Sequence, residues 1–166
     1  MSERAVIALG ANLEDPRATF ERALELLEER AGPIVARSSW RQSEAMVHPD
    51  DEVRWHPPYL NGAALVATAL EPEALLAVLH AIEAELGRDR SREKGRWQPR
   101  TLDLDLVAYG QQRLDRPALT VPHPRMQERD FVLLPLVELW PDWRHPVLGR
   151  TARELLADLC GSGPAG

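Results

Sequence analysis

The 166-residue sequence predicts an α+β fold, an antiparallel sheet with helices packed against it. Three observations carry this. Short apolar runs bounded by Gly or Pro alternate with longer stretches of helical period. The two kinds follow one another as strand, helix, strand, strand, helix, strand. Length and composition, 44% hydrophobic and 28% charged, suit one globular domain over residues 1–166, which rules out collagen, coiled coil and a disordered tail.

Ala5 to Leu9 (AVIAL) is apolar throughout, ends at Gly10 and predicts a buried strand. Asp15-Pro16 opens a helix with Asp as N-cap and Pro at the first helical position. Phe20, Ala23, Leu24 and Leu27 form its apolar stripe, and Gly32 ends it. Ile34 to Ser43 reads as one extended strand. Met46 to Pro58, with three prolines and little periodicity, reads as a long loop, and loops of that length in a compact domain are usually functional. Leu60 to Ala69 is a third strand. Pro72 to Leu86 is a second helix with Leu75, Leu76, Leu79, Ile82 and Leu86 on one side and Gly87 as its stop. Thr101 to Tyr109 (TLDLDLVAY) is a fourth strand. This order is the split βαβ, ferredoxin-like arrangement (βαββαβ), with helices on one face of the sheet. A turn or short hairpin at Gly110 to Arg116 follows, then two additional C-terminal helices, about 126–139 and 151–159.

Charge is unevenly placed. Arg88 to Arg100 (RDRSREKGRWQPR) carries six basic and two acidic residues, so a chain of net charge -6 holds +4 in thirteen positions. The acidic remainder argues against nucleic-acid and anionic-membrane partners, which need a positive face. A single cysteine, Cys160, excludes an internal disulfide and fits a reducing compartment. With no basic-then-apolar N-terminal stretch and no run of about 18 apolar residues, a cytoplasmic protein is expected, and a monomer.

In TLDLDLVAY the leucines 102, 104 and 106 alternate with Asp103 and Asp105. The leucines enter the core, and both carboxylates stand on the opposite face about 7 Å apart at their backbones. Asp is a poor strand former, and this pair repels by about 0.6 kcal/mol in water and more in a drier site. Two incidental acids on a solvated strand face are the plain alternative. The functional one is a site for hard divalent cations, because carboxylates with open water positions suit magnesium, and two carboxylates can hold two ions for phosphate chemistry. The Arg-rich segment ends immediately before this strand and places guanidinium groups beside the acids, where they grip phosphate oxygens bidentately. The Gly-rich phosphate loops of other nucleotide enzymes are absent: the only lysine, Lys94, lies in EKG. His123 stands between two prolines in VPHPRMQERDF, with Arg125 and Arg129 following. Asn61 suits hydrogen bonds to a flat heterocycle, and Trp97 is an aromatic in the middle of a charged stretch.

Taken together, YLNGAALVATALEPEALLAVLHAIEAELGRDR, RWQPRTLDLDLVAYG and LTVPHPRMQERDFVLLPLVEL closely resemble the 6-hydroxymethyl-7,8-dihydropterin pyrophosphokinases, a family of folate-pathway enzymes. ALGANLEDP resembles that family's Gly-Ser-Asn-Leu segment, with Ala11 in place of the serine. The resemblance implies transfer of diphosphate from ATP to the hydroxymethyl group of the dihydropterin, with release of AMP and use of two Mg2+ ions. It makes Asp103 and Asp105 the metal ligands and Arg88 and Arg100 the catalytic contacts to the transferred phosphates. It assigns Arg90, His123 and Arg129 to ATP, with Leu76, His80 and Thr120 near the adenosine. Asn61 would read the pterin edge, Tyr59 and Phe131 would stack on its faces, Trp97 would close over it, and Glu83 would orient its neighbours. Segment 43–58 departs from the family pattern and is longer, and His80 stands where Gln is more usual. A ferredoxin-like module that binds nucleotide or single-stranded nucleic acid without catalysis is the rival reading; two acids beside a phosphate site count against it.

Overall fold

The computed structural model describes residues 2–12, 15–43, 59–86 and 102–161, and for Ser43 and Tyr59 the backbone alone. The chain runs Glu3–Ala11 (β1), Pro16–Arg30 (α1), Ile34–Arg37 (β2), Arg41–Ser43 (β3), Tyr59–Thr68 (β4), Pro72–Leu86 (α2), Leu102–Tyr109 (β5), Leu114–Arg116 (β6) and Leu119–Val121 (β7). A 3-10 turn at Met126–Glu128 and the helices Asp130–Leu139 (α3) and Ala152–Gly161 (α4) complete it. The main sheet has the order β2-β4-β1-β5, with β3 also on β4, and every pairing is antiparallel. This is the α+β arrangement that the sequence predicts.

α1 opens as its sequence dictates. The Asp15 carboxylate accepts from the Ala18 N–H at 3.2 Å, and Pro16 occupies the first turn, where its missing N–H costs nothing. α1 and α2 cover one face of the sheet. Ile7, Leu9, Phe20, Leu27, Leu60, Leu75, Leu79, Ile82 and Leu104 bury there, each contributing about 1.5–3 kcal/mol. Arg30 Nη2 donates to both carboxylate oxygens of Glu85, each at 3.0 Å, and ties the two helices at their exposed ends.

The described helices cover only part of the other face. α3, α4 and Trp143 bury Val6, Ala63, Leu65, Val107 and Ala108, and the Trp143 indole N–H donates to the Gly110 carbonyl at 2.7 Å. The two additional C-terminal helices, which the sequence reading left unplaced, therefore form a third layer.

Three local expectations need correction. The strand expected over Ile34 to Ser43 is two strands. Buried Ser38 breaks it: its Oγ accepts from the Ala63 N–H at 2.8 Å, a role backbone would otherwise fill. Trp40 then turns into the core against Phe20, with ring centroids 4.7 Å apart. Gly62 is required opposite this ring, since a Cβ there would stand 2.2 Å from it. Of the turn or hairpin expected at Gly110 to Arg116, the turn is present, closed by the Gln112 N–H to the Tyr109 carbonyl at 3.1 Å, whereas the hairpin lies later, as β6 and β7, with Pro117 in its turn. The helix expected over 126–139 is interrupted. Arg129 takes extended backbone (φ -122, ψ 106), so that Asp130 starts a new helix with its carboxylate in the first turn, where the helix dipole favours it.

Candidate active site

Strand register assembles the site. Asn61 of β4 lies opposite Gly10 of β1, which lies opposite Asp103 of β5; one step along, Ala63, Ala8 and Asp105 align in the same way. Paired residues share a face, here the face that α3 and α4 cover only at its far end. Leu102, Leu104 and Leu106 point to the other face and are buried in the α1–α2 core. The alternation thus places both carboxylates on the half of the sheet that no described helix covers. Asp105 is exposed and Asp103 half-buried. Gly10 leaves the floor between Asn61 and Asp103 without a side chain. A Cβ on Gly10 would stand 3.2 Å from Asn61 Oδ1, so the amide already occupies that approach.

β5 is the last strand of the sheet, and its outward backbone groups need partners from elsewhere. The Glu83 carboxylate, on α2, accepts from the Leu104 N–H at 2.9 Å. Leu104 is the residue between the two aspartates. Glu83 therefore fixes the strand segment from which both acids project.

The segment after β7 brings a cation-capable group to the same place. The His123 N–H donates to the Val107 carbonyl of β5 at 2.9 Å. Its Nδ1 accepts from the Arg125 N–H at 3.4 Å, which leaves Nε2 to carry the ring proton. Burial pushes the imidazole below its usual pKa; the Asp105 carboxylate acts against that shift, and Arg129 adds to it. Asp105, His123 and Arg129 are thus electrostatic neighbours. The Arg129 guanidinium also lies over the Phe131 ring, 5.7 Å from its centroid, and that ring is 43% exposed, as a stacking surface would be.

The structure gathers Asn61, Asp103, Asp105, His123 and Arg129 around the open half of one face. Leu76 and His80 sit one turn apart on α2; Leu76 packs against the core and His80 is exposed. Thr120 turns away from the buried Leu119 and Val121 toward a cavity of about 230 Å³. Its side chain is therefore not brought to the core cluster that holds Leu76. Arg88, Arg90, Trp97, Arg100 and the Tyr59 side chain lie outside the described residues. Sequence reasoning missed Gly10 and Arg41, the latter opposite Asn61 on β3. Their alignment becomes visible only once strands are paired.

Among the described residues no group of three or more His, Cys, Asp or Glu side chains gathers as a metal cage. Were Asp103 and Asp105 to hold a cation, phosphate oxygens and water would complete its ligands. That donor set fits magnesium, which retains water and binds through one or two carboxylates plus substrate phosphate.

A ferredoxin-like sheet with an acidic pair on its open half-face, bordered by a histidine and an arginine, defines a small α+β transferase acting on phosphates. Residues 6–141 match the family described as 7,8-dihydro-6-hydroxymethylpterin-pyrophosphokinase (HPPK), and the chain belongs to that family. It is 44% identical over 157 residues to the 2-amino-4-hydroxy-6-hydroxymethyldihydropteridine pyrophosphokinase of Pseudomonas aeruginosa, covering 95% of this chain and 92% of the relative. To the enzyme of the same name from Synechocystis it is 42% identical over 153 residues, covering 92% and 74%. A crystal structure of an HPPK-DHPS in complex with substrates superposes with a TM-score of 0.71 at 13% identity, over 97% of this chain; the chain spans 43% of the length of that larger protein.

Proposed function

We propose that this chain transfers diphosphate from ATP to the hydroxymethyl group of 6-hydroxymethyl-7,8-dihydropterin, releasing AMP in a step of folate synthesis. The substrate hydroxyl oxygen forms a bond to the β-phosphorus of ATP. The bond from the β-phosphorus to the oxygen that bridges it to the α-phosphate breaks, and the electron pair leaves with AMP. The hydroxyl proton passes to solvent.

Asp103 and Asp105 would hold two magnesium ions, which neutralise the triphosphate and polarise its β-phosphate. His123 and Arg129 supply donors to the phosphates of ATP. Arg88, Arg90 and Arg100 are assigned to ATP and the transferred group by the family resemblance. Asn61 reads the pterin edge, Phe131 and Tyr59 stack on the ring, and Trp97 closes over it. The protein performs little covalent work: it positions two substrates and stabilises developing charge. Leu76 and His80 on α2, and Thr120, are assigned to the adenosine end by the family resemblance.

The observation that carries this reading is the placement of Asp103 and Asp105 on the half-face that no described helix covers, beside His123 and Arg129, in a chain of this family. Mixing the protein with ATP, magnesium and the dihydropterin tests it. AMP should form only when all three are present and stop on chelation with EDTA; AMP formed without the pterin, or none at all, contradicts it.

A further inference from the structure

The row of paired residues does not stop at Asn61. Arg41 on β3 lies directly opposite it, so one line crosses the sheet as Asp103, Gly10, Asn61, Arg41. With strands about 4.8 Å apart, the line is about 14 Å long. Trp40, the residue before, points into the α1–α2 core, and strand alternation turns Arg41 to the α3 face. The contacts agree: the Arg41 guanidinium lies 3.8 Å from Glu138 Oε1 of α3, with its side chain 44% exposed.

That separation is an ion pair and not a hydrogen bond. Glu138 Oε1 accepts its hydrogen bond from Ser39 Oγ, at 2.8 Å. The carboxylate therefore balances the Arg41 charge and orients the side chain without taking up the guanidinium donors. A planar, oriented set of N–H donors that no described residue takes up by a hydrogen bond, on the site floor, is a recognition element for ring carbonyl and ring nitrogen acceptors.

Direction along the row follows from the reaction proposed above, on which this step rests. The hydroxymethyl group must face the Asp103 end, where the phosphates are held. The bicyclic ring then lies over Gly10 and Asn61. Its far end, the pyrimidine ring with the carbonyl, faces β3. We infer that Arg41 is a binding residue for the pterin, donating hydrogen bonds to the carbonyl edge of its pyrimidine ring, and that Glu138 is the positioning residue that aims it. Arg41 thereby sets selectivity for a ring that accepts at this edge over one that donates.

Binding of the dihydropterin, titrated by calorimetry in the presence of magnesium and a non-hydrolysable ATP analogue, tests this apart from turnover. Arg41→Ala should weaken pterin binding by about tenfold or more, the scale of a hydrogen bond to a charged group. Binding of the ATP analogue should change by less than about twofold. Arg41→Met, which keeps the length and apolar stem, should behave as Arg41→Ala does, and this guards against a simple packing loss. The unaltered protein should prefer the dihydropterin over the analogue whose ring carbonyl is replaced by an amino group, and both variants should lose most of that preference. Equal pterin affinity, or unchanged preference, in a folded Arg41→Met protein overturns the role of Arg41 alone. Failure of the unaltered protein to bind any pterin overturns this inference together with the proposed function.

Discussion

On the proposed reading, Asp103 and Asp105 repel each other in the absence of metal, and bound magnesium would offset that repulsion. Asp103→Asn or Asp105→Asn should therefore cut turnover at least about a hundredfold while leaving the metal-free melting temperature unchanged or slightly higher. Calorimetry in EDTA alongside an AMP assay checks both, and a large fall in metal-free stability would make the pair structural. Arg100 lies two positions before the first described residue of β5. Arg100→Ala should slow the chemical step by about a hundredfold or more, as for loss of one preorganised donor. Arg96→Ala should slow it less than about tenfold, and single-turnover AMP formation separates the two. The acidic pair was legible in the sequence because alternation with three leucines fixes its face whatever the partner strand. Gly10 and Arg41 were not, since their value lies in register, and register joins residues tens of positions apart.

At the scale of the element, Glu83 couples α2 to β5 through the Leu104 N–H. Glu83→Ala leaves that donor without its partner and should cost about 1–3 kcal/mol. The Leu104 amide should then exchange faster, and turnover should drop with it. Glu83→Gln keeps an acceptor and should restore most of both. Exchange at Leu104 that is the same in Glu83→Ala and the unaltered protein would remove Glu83 from this role. The turn at 145–150 depends on His145, whose Nδ1 accepts from the N–H groups of Val147 and Leu148, both at 3.1 Å. Burial holds its pKa below the usual value. As pH falls the unfolded chain takes up this proton first, near pH 6.5, so stability present at neutral pH is lost on acidification. His145→Ala should cost about 1–3 kcal/mol at pH 7 and measurably less at pH 5. Urea unfolding at the two values decides it, and a cost independent of pH would contradict the assignment. The sequence showed α1, α2 and β5 clearly, because caps and periodicity are local. It did not show the breaks at Ser38 and Arg129, where a buried hydroxyl and a restarted helix answer to tertiary partners.

At the scale of the whole molecule, two helical layers enclose the sheet unevenly. α1 and α2 cover one face, α3 and α4 only part of the other; the half that no described helix covers carries both acids and Asn61, and His123 is hydrogen-bonded to β5 beside it. The order of elements was readable from the chain and implied the ferredoxin-like sheet. The partial cover was not, because nothing local tells a C-terminal helix which half of a face to bury. On the proposed function, this half-face moves a diphosphate as one unit. The direct measurement is 31P NMR of the reaction of ATP with the dihydropterin and magnesium. The expected products are AMP and a pterin diphosphate in equal amounts, with no ADP at any time. Appearance of ADP with a pterin monophosphate, or no reaction while single-stranded oligonucleotide binds tightly, would contradict it.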